Sequence, residues 1–324
     1  MSSPDSSTTS SVPSLRHFLR DDDLSAEEQA IVLQRARDLK AAPFSRRPLE
    51  GPQIVSVLFD KPTLRTQVSF EGAIAHLGGH PLVVDANLAQ VGVRESIADT
   101  ARVLGRQSAA IVWRTYGQDR LEEMARHAGV PVVNALTDQF HPCQILADLL
   151  TITEHQGALA GLTLGYVGDG ANNMAHSYLL GGALAGMHVR IGTPNGHQPD
   201  PAILSRAVEL AAAQGGSVLV TADPVEAVRG VDAVVTDTWV SMGMEAEKGD
   251  RQGVASPFAA FAVTEELMGY AASDAIFLHC LPAYRGHEVA AAVIDGAQSV
   301  VWDEAENRLH AQKAVLSFLL EGSR

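Results

Sequence analysis

From Gln53 onward the chain alternates short β-branched runs with longer stretches whose apolar residues recur at spacings of three and four. The first pattern suits a buried strand and the second an amphipathic helix. Regular alternation of the two leaves few architectures open. Consecutive strands must run parallel, joined by helical crossovers, and ligands then bind beyond the carboxyl ends of the strands. The fold class is therefore α/β. In the first half the pattern predicts strands at 54–59, 81–84, 110–113 and 131–134, with helices at 69–76, 96–104, 119–127 and 143–155. In the second half it predicts strands at 163–167, 188–192, 217–220, 233–236 and 276–278. Two doubly wound parallel sheets are expected.

A length of 324 residues fits two domains of roughly 150 residues each. The Gly/Ala break at 157–162 divides them, giving units at 14–156 and 157–304, and the last amphipathic stretch, 305–322, is expected to pack back on the first. Residues 1–13 are Ser/Thr-rich and read as a disordered tail, without the charged and apolar regions of a secretory signal. One region breaks the rhythm: 239–256 holds Gly243, Gly249 and Gly253 with little apolar periodicity, and loops of that length are usually functional.

Charge narrows the function classes. With 38 acidic against 24 basic residues the formal charge is −14, a field that repels nucleic acid and anionic lipid. No apolar run reaches the roughly 20 residues of a membrane helix. Any anion must be captured by a local basic cluster. The two cysteines, Cys143 and Cys280, give no disulfide framework, and a reducing, cytoplasmic setting is expected.

The predicted strand ends carry the chemistry. After the first strand comes Asp60-Lys61-Pro62-Thr63-Leu64-Arg65-Thr66-Gln67, which places hydroxyls, a guanidinium and free amides at the positive end of a helix dipole. That composition suits a phosphate, and it also suits an ordinary Thr-capped helix with solvated basic residues. Trp113-Arg114-Thr115 follows the third strand and Phe140-His141-Pro142-Cys143-Gln144 the fourth, so Arg114, His141 and Gln144 can converge on a small anionic or carbonyl ligand. In the second half, Gly168-Asp169-Gly170-Ala171-Asn172-Asn173 has Asn173 where a dinucleotide fold needs its third glycine, which disfavours a nucleotide cofactor. Asp237, at the next motif, offers a carboxylate to an ammonium group, and Ser241 and Asn173 suit the polar end of an amino acid. His279 and Cys280 are adjacent rather than spaced as zinc ligands, and no Gly-x-Ser-x-Gly elbow is present, so neither a metal site nor a serine hydrolase is expected.

The order of anion loop, Trp-Arg-Thr, His-Pro-Cys-Gln, Gly-Asp-Gly-x-Asn-Asn, Asp-Thr-Trp-x-Ser-Met-Gly and His-Cys-Leu-Pro resembles the ornithine carbamoyltransferases, within the aspartate/ornithine carbamoyltransferase family, from about Leu15 to Leu320. The resemblance implies that Thr63, Leu64, Arg65 and Thr66 hold the phosphate of carbamoyl phosphate, with Arg114, His141 and Gln144 on its carbamoyl and bridging oxygens. It further implies Asn173, Asp237, Ser241 and Met242 at the ends of L-ornithine, Cys280 and Leu281 facing the reacting amine, and Arg308 near the transferred group. No cofactor is implied. Gln90 matches a glutamine that reaches a neighbouring subunit's site, which implies a homotrimer with shared active sites. The anion loop departs from the family's commonest Ser-Thr-Arg-Thr-Arg at Leu64, which lacks a hydroxyl, and Gln67, which lacks a charge. Aspartate, putrescine or an acylated ornithine as alternative substrates, a non-catalytic binding subunit and a dinucleotide-dependent dehydrogenase are the competing readings.

Overall fold

The computed structural model describes residues 15–85, 89–240, 248–251 and 256–322. The expected tail at 1–13, and Ser241 and Met242, lie outside the described residues.

The first half begins with α1 (Ala26–Ala41) and runs β1 (Ile54–Phe59), α2 (Arg65–His76), β2 (His80–Asp85), α3 (Ile97–Gly105), β3 (Ala110–Arg114), α4 (Gln118–Ala128), β4 (Val132–Leu136) and α5 (Pro142–Gln156). The second half runs β5 (Thr163–Val167), α6 (Asn173–Leu184), β6 (His188–Gly192), α7 (Pro201–Gln214), β7 (Ser217–Thr221), α8 (Pro224–Val228), β8 (Ala233–Thr236), β9 (Ile276–His279) and the terminal α9 (Val301–Glu321). The two sheets are wholly parallel, with orders β2-β1-β3-β4 and β7-β6-β5-β8-β9. Each reverses its winding once, between β1 and β3 in the first sheet and between β5 and β8 in the second. Doubly wound sheets open a crevice at that switch.

Local chemistry sets the helix bounds. Asn172 accepts from the Ala175 amide to start α6, and Asp200 with Pro201 at the first position starts α7. Gly157, at φ 83°, ends α5 in the left-handed region. Two readings of the sequence need correction. Helix α1 was not expected, although Ser25 and Glu28 form a reciprocal capping box that marks its start. Helix α2 begins at Arg65 rather than 69, so Leu64 occupies the cap position and no side chain caps the helix. Its first amides are left to a ligand or water.

Helices α5 and α6 are buried over most of their length and join the two sheets through one continuous core that runs from Val55 through Leu149 and Tyr178 to Leu278. The terminal helix returns to the first half as expected and packs on α1, α2 and α5. Lys313 Nζ donates to the Leu39 carbonyl at 2.8 Å and Arg35 to Ser317 Oγ at 3.1 Å. No described helix is long and apolar enough to cross a membrane.

One contact in the first half admits no side chain at all. A Cβ on Gly105, at the end of α3, would meet the Ala128 carbonyl oxygen at 1.6 Å. Gly105→Ala must push α3 from α4, and a loss of about 3 kcal/mol in urea unfolding is expected.

Candidate active site

The two switch points face one another across a cleft of about 440 Å³. The loop after β1 and the end of β3 form one wall, the loops after β5, β8 and β9 the other, and α9 contributes Arg308 from below.

The first wall is an anion site. Arg65 opens α2, Arg114 ends β3, and Arg308 Nη2 donates to Thr66 Oγ1 at 2.8 Å. The buried Nε atoms of Arg65, Arg114 and Arg308 make no hydrogen bond within the described residues. Three guanidiniums therefore keep donors unspent at an uncapped helix N-terminus, an arrangement that costs free energy unless an anion fills it. Arg114 is only 4% exposed. Burial, with Arg308 and Arg65 nearby, lowers its guanidinium to about 10, so it stays charged at neutral pH. Burial and the same three arginines push His141 well below its ordinary value, leaving a neutral imidazole. Lys61 is also buried beside this wall, paired with Asp138 and 4.5 Å from the centroid of the Tyr116 ring.

The second wall carries the opposite charge. Asp237 Oδ1 accepts from the Thr238 amide at 2.7 Å and from Cys280 Sγ at 3.2 Å. Burial raises the Asp237 carboxyl, and burial beside Asp237 raises the Cys280 thiol well above its usual range. Cys280 is thus a protonated donor, and Asp237 its acceptor. Asn173 Nδ2 is anchored on the Thr137 carbonyl at 2.7 Å, tying the two walls together. Leu281, at φ 57° before a cis proline bond, bends the chain so that its own amide donates to His279 Nδ1 at 2.9 Å. A leucine in that backbone region is held there by its surroundings.

Thr63, Arg65, Thr66, Arg114, His141, Asn173, Asp237, Cys280, Leu281 and Arg308 all line the cleft. Leu64 does not; its side chain is 71% exposed, on the outer face of α2. Gln90 is exposed on the first half, at φ 48°. Gln144 is fully buried behind the cleft, where its amide nitrogen donates to Asp148 and Glu304. Cys143 is a buried structural thiol, pushed up to about 12 by burial, that donates to the Asn134 carbonyl.

Several supporting groups escaped sequence reasoning. Arg251 donates to Asp169 at 2.6 Å and to the Trp239 carbonyl at 3.1 Å, joining the loops after β5 and β8. Asp237, His279 and Cys280 bring three ligand-type atoms within 4.8 Å of one another, a convergence that spacing could not reveal. Both ring nitrogens of His279 already face groups of the fold, Nδ1 the Leu281 amide and Nε2 Glu288 at 3.4 Å. Behind His141, its amide donates to Ser177 Oγ at 2.9 Å, and Ser177 donates to Asp21 at 2.6 Å, 156 residues away in the chain.

Burial raises the Asp21 carboxyl to about 8. The folded state therefore holds a proton there that the unfolded chain releases above about pH 4. Between those values the folded state binds more protons, so this group lowers stability as pH rises. Asp21→Asn removes the dependence. Its stability relative to the parent is expected to improve from pH 5 to pH 8, by at most about 1.4 kcal/mol per pH unit, in thermal or urea unfolding across that range.

A doubly wound pair of sheets opposes a guanidinium cluster to a carboxylate at its switch points, and the chain is a transferase of the aspartate/ornithine carbamoyltransferase family. The family's carbamoyl-P binding domain matches residues 16–154 and its Asp/Orn binding domain residues 160–319. Within it, the chain is 64% identical to an ornithine carbamoyltransferase of Clavibacter sepedonicus over 308 residues, which cover 95% of this chain and 99% of that protein. It is 59% identical to one of Mycobacterium ulcerans, over 96% of this chain and all of the other. Among solved structures, ornithine carbamoyltransferase from Pyrococcus furiosus superposes with a TM-score of 0.89 at 46% identity, covering 95% of this chain and 97% of that one.

Proposed function

We propose that this chain transfers the carbamoyl group of carbamoyl phosphate to the δ-amine of L-ornithine, giving L-citrulline and phosphate. The observation that carries the reading is the opposition, in one cleft, of Arg65, Arg114, Arg308 and the α2 N-terminus to the buried carboxylate of Asp237. A dianionic phosphate fits the first group and an amine the second. An aspartate enzyme would instead need a cation for the second carboxylate, and the Arg251 that lines this wall is held by Asp169.

The neutral amine attacks the carbonyl carbon, the carbonyl π pair moves to oxygen, and the tetrahedral intermediate collapses with loss of phosphate. Arg114, His141 and Thr66 stabilise the oxyanion, and Arg65 and Arg308 the departing phosphate, because fixed donors at growing charge lower the barrier most. Asp237 first takes the proton that the δ-ammonium sheds to become the nucleophile, its basicity raised by burial, with the protonated Cys280 thiol hydrogen-bonded to the same carboxylate, and the departing phosphate takes the second proton, which the nitrogen loses after attack. Asn173, Ser241 and Met242 hold the amino-acid end of ornithine. Residues 14–156, with the returning 305–322 stretch, form the carbamoyl phosphate unit and 157–304 the ornithine unit, closing on the second substrate.

Leu64 at the cap of α2, Val68 on α2, and Leu82 and Val83 on the edge strand β2 are exposed apolar side chains on the half of the molecule that carries Gln90. This face supports a homotrimer in which Gln90 reaches a neighbour's cleft. The reaction is a step of arginine metabolism, which we assign to arginine biosynthesis in the cytoplasm. The test is colorimetric: the purified protein with carbamoyl phosphate should make citrulline from ornithine at least a hundred times faster than it carbamoylates aspartate, putrescine or an acylated ornithine at equal concentration. Preference for any of those, or no turnover, overturns the reading.

A further inference from the structure

Behind the cleft, Asp148 on α5 and Glu304 on α9 are without solvent exposure. Gln144 Nε2 donates to Asp148 Oδ1 at 2.8 Å and to Glu304 Oε1 at 3.1 Å, so both carboxyls meet on one nitrogen. Two acceptors held on one nitrogen at those distances lie within about 6 Å of each other. Two ionised carboxylates so close and so buried repel, and a proton on one relieves the repulsion. Burial raises both groups, Asp148 to about 6, and the neighbouring Asp148 charge pushes Glu304 well above its ordinary range. Of the two, Glu304 is the group that favours the proton and Asp148 the charge.

The pair touches both walls. Tyr178 on α6 donates to Asp148 Oδ2, and the His279 amide of β9 donates to Glu304 Oε2 at 2.8 Å. Arg308 lies one helical turn beyond Glu304 and is itself buried. A buried guanidinium needs a counter-charge, and two buried anions side by side repel. One proton shared by two carboxyls meets both demands.

We propose that Asp148 and Glu304 act as a one-proton, single-charge carboxyl pair that positions the cleft, balancing Arg308, fixing the Gln144 amide and, through the His279 backbone, setting the Cys280–Leu281 turn. Both are positioning residues: neither lines the cleft. Only the kinetic part of this inference rests on the carbamoyl-transfer reading, since the proton is observable without substrate.

The test is infrared difference spectroscopy at pH 7 on the full chain, wild type minus Glu304→Gln and wild type minus Asp148→Asn, with kinetics of the same proteins and the double amide. Wild type should show the carbonyl stretch of an un-ionised buried carboxyl that is lost in Glu304→Gln. It should also be lost in Asp148→Asn, where Glu304 ionises to face Arg308. Either single amide keeps one negative charge, so kcat should fall no more than about tenfold. The double amide has no charge and should lose at least tenfold more than the product of the singles, although its melting temperature is no lower than theirs. Identical wild-type and Glu304→Gln spectra, or a double loss equal to the product of the singles, overturns the proposal. If Asp148→Asn does not fold, the Glu304→Gln spectrum decides alone. A wild type that shows the band but makes no citrulline would refute the reaction and leave the pair standing.

Discussion

Arg65→Ala is expected to lower kcat/KM for carbamoyl phosphate by about a thousandfold, roughly 4 kcal/mol, while the melting temperature moves by no more than about 2 °C. The energy has two sources. A charge-assisted hydrogen bond to the bound phosphate contributes about 1.5–3 kcal/mol, and loss of a donor aimed at charge that grows in the transition state costs about 3 kcal/mol or more. These overlap rather than add. The small structural effect follows from the absence, among the described residues, of any hydrogen bond on Arg65 Nε. This chain should be especially sensitive at Arg65, because Gln67 supplies no charge on the next turn position and Leu64 points outward. Steady-state kinetics in carbamoyl phosphate checks it, and near-normal affinity and turnover would remove Arg65 from the phosphate site.

Asp237→Asn should act on the other substrate. The ornithine KM is expected to rise about a hundredfold, some 2.7 kcal/mol, with the carbamoyl phosphate KM unchanged within about twofold. Asp237 is the buried carboxylate at the end of β8, and its hydrogen-bond partners among the described residues, Thr238, Cys280 and Asn172, are all neutral. Taking one partner from a buried charge pair costs about 2–5 kcal/mol. The amide keeps the shape and can still accept from Thr238, which separates loss of charge from loss of packing. Equal changes in both KM values would mean that Asp237 supports the whole cleft rather than the amine.

The strand ends were legible because each strand is a short apolar run that stops at a polar motif, and parallel topology sends every motif to the same edge. Ile54–Phe59, Thr163–Val167, His188–Gly192 and Ala233–Thr236 fall where the pattern puts them. Arg65, Arg114, His141 and Asp237 meet for the same reason. Helix starts were less legible. The helical pattern near Arg65 is carried by residues from Ser69 on, since Thr66 and Gln67 look polar, and α1 depended on reading Ser25 with Glu28 as a cap. The buried supports were not legible at all. Asp21 meets Ser177, and Glu304 meets Gln144, across more than 150 residues. Their types are ordinary at their positions, and only folding brings them together. Gln144 shows the limit of motif reading, since its neighbour His141 lines the cleft while its own amide turns to the carboxyl pair.

The most direct test of the central claim is a crystal structure of the protein with carbamoyl phosphate bound. The phosphate should sit at the amino end of α2 within hydrogen-bond reach of Arg65 and Arg308, with the carbamoyl oxygen towards Arg114 and His141. Full occupancy elsewhere, with those side chains unmoved and unliganded, would contradict the account.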